Sequence, residues 1–550
     1  MRPRLGIIAA TAVLALIGCS GGTPGPQSEK TGEAGAPQSA QKAEPEKAAE
    51  PADIDSDDFA DEAKEIVESF SDDELAGSLI IGTWSGTDTQ TGVNLLKNNN
   101  LGGVIVMADN LPENPTPDQV KSVTEAVNAS RSKGQPVSIG VDQEGGPVSR
   151  LGTGALPFPP LMALSATQDP ELTQTATKVQ GQNLTDLGFT IDFAPDADVT
   201  TGEKDVAINV RSAGDDHKAA AEVVAQAATG YHLGGVASSA KHFPGHGRLH
   251  VDSHESLPVS KKSIKELEDT DLLPFKSAVK AGIPMVMMGH IGLPDAKTTP
   301  ATLNEKAYQS LRDMLDFDGV IITDALNMKA VDQSQSGKET VKALSAGADL
   351  ALMPPDSAAA QKAVAKAMKD GELKKSDLQK KAQRVVAMQL ATAETQKAMT
   401  DDSGGGDSGS GSDSGPAGSE DPQKVLTDVA EKSLTVLKGE CAFEGTDSIS
   451  IVGGSEKEKS ELTKAAKDAG LTVDSGGTSV SLSPDASAEV AVGTAAPWTM
   501  RNTSAQSAVT AYDSNPNALK AVAKWLKGDL RASGKLPVDY DGSDKAPDCS

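Results

Sequence analysis

Eight short apolar runs recur between residues 58 and 400, most of them bounded by glycine. They are LIIGTW (79–84), GGVIVM (102–107), VSIGVD (137–142), FTIDFAP (189–195), VASSAKHF (236–243), MVMMGHI (285–291), GVIITDA (319–325) and LALM (350–353). Apolar residues within them are consecutive rather than alternating, which suits strands covered on both faces. Between the runs lie segments with helical spacing, such as TPDQVKSVTEAVNASRS and HKAAAEVVAQAATGYHLG. Strand and helix in repeated alternation predict a parallel sheet. Eight strands in a segment of this length predict a (β/α)8 TIM-like barrel over 58–400. An open doubly wound sheet is the alternative, but no dinucleotide glycine signature follows the first run.

Composition divides the rest of the chain. Residues 401–420, DDSGGGDSGSGSDSGPAGSE, read as a flexible linker. Residues 421–550 carry the apolar runs SLTVLK, SISIVGG and AEVAVGTA among helix-like segments, which predicts a smaller α/β sandwich. At the other end, MRPRLGIIAATAVLALIGCSGG places two arginines before an apolar run too short to span a bilayer, then small residues. Residues 1–18 therefore read as an export signal. LIGC resembles the lipobox of bacterial lipoproteins, which makes Cys19 the first mature residue and the site of lipidation. Residues 19–57, rich in Ala, Pro, Glu, Gly and Gln, read as a disordered tether. An exported chain meets oxidising conditions, so Cys441 and Cys549 are candidates for a disulfide. Spacing alone does not bring them together.

Charge narrows the range of partners. The 550 residues include 78 acidic and 51 basic ones, a net charge of -27. Such a balance argues against nucleic acid, which is bound through clustered Lys and Arg. Aromatic residues make up only 3 %, which argues against long sugar-stacking platforms.

Four of the seven histidines fall in KHFPGHGRLHVDSH (241–254), at a constant spacing of four: His242, His246, His250 and His254. On a helix they would stack as a metal site. Pro244, Gly245 and Gly247 exclude that helix, and neither an HExxH pattern nor a nearby Cys pair supports a loop site. No metal and no cofactor is expected. The stretch reads instead as a strand ending at Lys241–His242, followed by a Gly-rich loop over the barrel mouth. Polar residues gather where the other runs end as well, at Asp142, Asp198, His290 and Asp324. In such barrels the C-terminal ends of the strands form the active site.

KHFPGHG followed by VDSH resembles glycoside hydrolase family 3, in its bacterial β-N-acetylglucosaminidase branch. VDQEGGPVSRL, FAPDADV, INVRSAG and GVIITDALNM resemble further segments of that family, in the same order. The likeness spans about 75–355 and continues weakly in AEKSLTVLK and NPNALKAVAKWLKGDLRASGKLPV. The resemblance implies a nucleophile at Asp324 and an acid/base at His254, with Asp252 as its partner. It assigns sugar contacts to Asp142, Arg150, Arg211, Lys241 and His242. Pro147 stands where the family has Arg, whereas Arg150 keeps its place. The implied substrate is a non-reducing terminal N-acetylglucosamine β-linked to N-acetylmuramic acid in peptidoglycan fragments. The implied setting is cell-wall turnover at the outer face of the membrane, with only a lipid anchor touching the bilayer.

The residues also suit this chemistry on their own. Retaining cleavage needs one group to attack the anomeric carbon and another to protonate the leaving oxygen and then activate water. A strand-end carboxylate serves for the first task. A histidine near neutrality serves for the second when a carboxylate orients it. Alternatives stay open: Asp252–His254 as a loop-stabilising bond, Arg211 as an internal salt bridge, a phosphorylase or β-glucosidase of the same family, and a non-catalytic wall-binding lipoprotein. His246 and His250 read as loop residues and His290 as packing under the site. His217 and His232 read as ordinary helical histidines, and the second domain as support for the site rather than a source of catalytic groups.

Overall fold

The computed structural model describes residues 56–130, 136–331, 336–402, 420–484, 487–540 and 546–549. Cys19, the tether up to residue 55 and most of the 401–420 linker lie outside them.

All eight apolar runs form strands: β1 (Ile80–Gly82), β2 (Gly103–Ile105), β3 (Ser138–Val141), β4 (Ile191–Asp192), β5 (Ala237–Phe243), β6 (Met285–Met288), β7 (Val320–Thr323) and β8 (Ala351–Leu352). They pair in parallel, each with its neighbour in sequence, and β1 also pairs with β8. A parallel bridge from Ile322 to Leu350 joins β7 to β8 and nearly closes the sheet. A helix follows each strand: α1 (Thr89–Asn98), α2 (Pro117–Ala129), α3 (Pro170–Asp186), α4 (His217–Leu233), α5 (Leu273–Lys280), α6 (Glu305–Leu315), α7 (Lys338–Ala346) and α8 (Ser357–Lys369). The fold is a TIM-like barrel.

Local sequence explains the helix ends. Asp169 accepts a bond from the Leu172 amide ahead of Pro170, and Asp216 accepts from Lys218 and Ala219, so α3 and α4 both start on a carboxylate cap. These helices pack closely because they meet at glycine. A Cβ on Gly230 would lie 1.9 Å from Thr177 Oγ1.

Strand residues facing inward, among them Ile81, Ile105, Phe193, Met287 and Ile322, fill the barrel interior. Val385 and Met388 of α9 (Lys375–Asp402) join this cluster. At roughly 2 kcal/mol for each large side chain removed from water, this interior is a major source of stability. No helix of the described residues is long and apolar enough to cross a membrane.

The C-terminal region forms a six-stranded sheet from β9 (Thr435–Lys438), β10 (Ser448–Val452), β11 (Thr472–Val473), β12 (Thr478–Ser481), β13 (Val490–Gly493) and β14 (Ser507–Thr510). The order is β9-β14-β13-β12-β10-β11, parallel except for β9 against β14. Helices α10 (Pro422–Ser433), α11 (Glu456–Asp468) and α12 (Pro516–Lys527) accompany it. Trp525 of α12 is fully buried, and its indole donates to the Cys441 carbonyl at 3.2 Å. Cys441 is bonded to Cys549, 108 positions away. A cross-link of that span stabilises by roughly 4–5 kcal/mol through the unfolded chain.

This domain sits against the barrel through Trp498, Tyr512 and Val538, which pack on Met162, Ala166 and Val210. The contact is rimmed by backbone bonds from Lys535 to Ala166 and from Asp215 to Pro537, and by a 2.9 Å Lys432–Asp169 ion pair.

Candidate active site

The ends of β3, β4 and β5 assemble a buried, charge-paired floor. Lys241 Nζ donates to Asp142 Oδ1 at 2.8 Å and lies 2.6 Å from Glu144 Oε1. Arg211 donates through Nε and Nη2 to both Glu144 oxygens, each at 2.8 Å, and Nη2 lies 3.3 Å from Asp196 Oδ2. One carboxylate thus serves two cations, and the Arg bond is the bidentate kind. Burial would push Glu144 up, but Arg211 and Lys241 outweigh it and hold the carboxyl far below its ordinary range. Burial would also lower Lys241, yet Asp142 and Glu144 keep it an ammonium, above its ordinary value.

His242 continues the floor. Its Nδ1 lies 2.7 Å from Asp198 Oδ2, which leaves Nε2 as the ring nitrogen for any other partner. Asp198 also accepts from the backbone amides of His242 and, at 2.6 Å, of His246. Burial pushes its carboxyl up to about 7. Asp196, Asp198 and His242 each bring one ligand-capable atom within 4.8 Å of the others. Asp198 and His242 are bonded to each other, whereas Asp196 Oδ2 lies 3.3 Å from Arg211 Nη2 and accepts no hydrogen bond among the described residues.

Asp324 follows β7 directly. Its Oδ1 accepts from the Ala325 amide at 2.7 Å, and only 8 % of the residue is exposed. Burial would raise its carboxyl, but His290, His242 and the Ala325 bond hold it below the ordinary carboxylate value. The group is therefore ionised at neutral pH and held in one place, as a nucleophile requires. His290, fully buried, bonds through Nε2 to the Ala325 carbonyl at 2.9 Å, which places it under the site.

Asp252 and His254 lie on the loop after β5. His254 Nδ1 is 2.8 Å from Asp252 Oδ1, the same oxygen that accepts the His254 amide. These bonds overcome burial and hold Asp252 below its ordinary value. Yet 69 % of the His254 side chain is exposed.

Arg150 stands apart from the floor. It follows the small hairpin of Gln143–Gly145 and Val148–Ser149, and its amide bonds to Gln143 Oε1 at 3.0 Å. Its Nε is buried and has no hydrogen-bond partner among the described residues. Pro147 is exposed on the hairpin turn. Gly145 is needed there, since its φ is +96° and a Cβ would lie 2.4 Å from the Pro159 carbonyl oxygen.

Reading from sequence alone misses Glu144, Asp196 and His246. The signal for Glu144 was present: two buried cations need more than Asp142 as counter-charge, and Glu144 is two residues on, the strand period. His246 is not an ordinary loop residue. It is 2 % exposed, and its Nε2 lies 3.2 Å from the hydroxyl of Ser253, between Asp252 and His254. His217 is not an ordinary helical histidine either, since its Nε2 meets the Arg248 guanidinium.

The chain is similar to known proteins. Residues 72–388 match the glycosyl hydrolase family 3 N-terminal domain. Beta-hexosaminidase A of Pseudoalteromonas piscicida is 35 % identical over 282 residues, 47 % of this chain and 47 % of that protein. Beta-hexosaminidase LpqI of Mycobacterium tuberculosis is 31 % identical over 399 residues, 70 % of this chain and 96 % of that protein. Among solved structures, a family 3 β-N-acetylglucosaminidase from Paenibacillus sp. str. FPU-7 superposes with a TM-score of 0.73 at 26 % identity, over 86 % of this chain and 99 % of that one. With its barrel, its strand-end floor and the match across 72–388, the chain belongs to glycoside hydrolase family 3.

Proposed function

We propose that this protein is a retaining exo-β-N-acetylglucosaminidase. Asp324 attacks the anomeric carbon, and His254, oriented by Asp252, protonates the leaving oxygen and then activates water. The observation that carries this reading is a buried, ionised Asp324 at the end of β7 together with an exposed His254 whose Nδ1 lies 2.8 Å from Asp252 on the loop after β5. A carboxylate on Nδ1 fixes the tautomer that presents Nε2 to the glycosidic oxygen. Asp142, Lys241, His242, Arg211 and Arg150 hold the terminal sugar through its hydroxyls. The matched β-hexosaminidases and the β-N-acetylglucosaminidase structure support N-acetylglucosamine as that sugar. Peptidoglycan fragments ending in N-acetylglucosamine are the natural substrate in this reading. The apolar N-terminal run and LIGC support an exported lipoprotein anchored through Cys19 that faces the cell wall.

The test is hydrolysis of 4-nitrophenyl N-acetyl-β-glucosaminide beside the matching glucoside by protein lacking residues 1–57. Only the N-acetyl sugar is expected to be cleaved. Asp324→Ala lowers kcat by about four orders of magnitude or more, and His254→Ala by about 10²–10⁴-fold. Full activity in Asp324→Ala would refute this nucleophile. Release of the sugar 1-phosphate in phosphate buffer would make the enzyme a phosphorylase.

A further inference from the structure

Arg248 lies on the loop that leaves β5, six positions before His254. Its Nε is 2.6 and 2.8 Å from the two carboxylate oxygens of Asp271, and its Nη2 meets His217 Nε2. Asp271 exposes 1 % of its side chain, just ahead of α5, and its Oδ2 also accepts from Thr270 Oγ1 at 2.9 Å. His217 is the first residue of α4. One guanidinium therefore ties the loop to the starts of two barrel helices. The loop backbone rests on the same carboxylate, since a Cβ on Gly245 would lie 3.1 Å from Asp271 Cβ. The bonded side chains of Arg248, Asp271 and His217 meet one another and Thr270 rather than Asp142, Glu144, Arg211, Lys241 or Asp324.

Beyond Arg248, few contacts hold the loop until Pro258, whose carbonyl accepts from Gly292 at 2.8 Å. They include His250 Nδ1 on the Lys204 carbonyl at 2.9 Å and His246 Nε2 on Ser253. The His254 side chain is 69 % exposed and its ring bonds to Asp252 of the same loop, so its place depends on where the loop is pinned. A displacement of about 1 Å in a proton donor is enough to cost about 10²-fold in rate.

We propose that Arg248, seated on Asp271 and His217, is a positioning residue for the acid/base step. It pins the loop so that His254 meets the glycosidic oxygen. The proposal rests on the reading of His254 as the acid/base, and the experiment separates the two. Arg248→Gln, Arg248→Lys, Asp271→Asn and His254→Ala are assayed on N,N′-diacetylchitobiose and on 2,4-dinitrophenyl N-acetyl-β-glucosaminide. The aryl leaving group departs without a proton, whereas the sugar leaving group needs one.

In Arg248→Gln, kcat/KM on the disaccharide is expected to fall by about 10–100-fold while that on the aryl glycoside changes by less than about threefold. Azide, which needs no base to attack the glycosyl–enzyme, raises kcat on the aryl substrate and yields the glycosyl azide. Arg248→Lys keeps the charge and recovers part of the disaccharide activity. Asp271→Asn, similar in shape, shows the same split at smaller size.

An equal fall on both substrates, or no fall, in Arg248→Gln and Asp271→Asn alike would overturn the proposal in favour of a purely structural pair. If His254→Ala shows the split and the two clamp variants do not, the clamp alone fails. If His254→Ala shows no split, the acid/base reading itself fails, and the clamp with it.

Discussion

Lys241 and Glu144 expose 3 % and 6 % of their side chains, whereas His254 exposes 69 %. The two halves of the site solve different problems. In the proposed function the floor recognises one sugar, and its charges are buried, paired on several sides and held in fixed directions. Such ions are stable only as a set, because each desolvated charge relies on its neighbours. In the proposed mechanism His254 must reach a leaving group of variable size and also admit water in the second step, and it stands in solvent on a loop. An imidazole suits that role in the proposed mechanism, whereas a solvent-exposed carboxylate would keep a pKa too low for a general acid.

The comparison breaks most easily at Glu144. Glu144→Gln removes the charge shared by Arg211 and Lys241, and it is expected to lower unfolding stability by about 3–5 kcal/mol with raised KM. Denaturant unfolding at pH 7 beside steady-state kinetics checks this. A stable variant with normal KM would mean that the floor is not cooperative.

His246 sharpens the boundary between the halves, since it is buried with the floor yet bonded to the loop. Burial lowers its ring to about 4. The folded state therefore binds its proton less readily than the unfolded chain does. Its contribution is complete above about pH 6.5 and is lost as pH falls towards 4, up to about 3 kcal/mol. His246→Asn is expected to flatten the stability profile across that window, read by thermal unfolding at stepped pH. An unchanged acid slope would show that other groups set it.

The smallest effect is expected at Arg501, the C-terminal domain's 2.7 Å partner to Glu203. Glu203 exposes 67 % of its side chain, and such pairs contribute under about 1 kcal/mol. Arg501→Ala should leave kcat within about twofold in the same chromogenic assay. A large loss would mean that the second domain braces the loop through Lys204 and His250.

How much of this was legible in the sequence depended on range. The eight strands were visible because each is a continuous apolar run, the local signature of a strand buried on both faces. β11, β12 and β14 were missed, being short and rich in Thr and Ser, without a period to read. Asp324, Lys241 and His242 stood out because they terminate apolar runs. Asp252 and His254 were legible as a bonded pair because two residues of separation allow it. Arg248 was not, because its partners Asp271 and His217 are 23 and 31 positions away on other elements.

The sequence by itself thus determined the alternation of elements, the end of the barrel that carries the polar residues, and the chemical kinds of groups there. These follow from local periodicity and from side-chain chemistry. Only the tertiary structure decided that Glu144 joins Arg211 to Lys241, that Asp198 ties His242 to His246, and that Cys441 reaches Cys549. Each of those links joins separate segments, and its strength depends on burial, which no local pattern encodes.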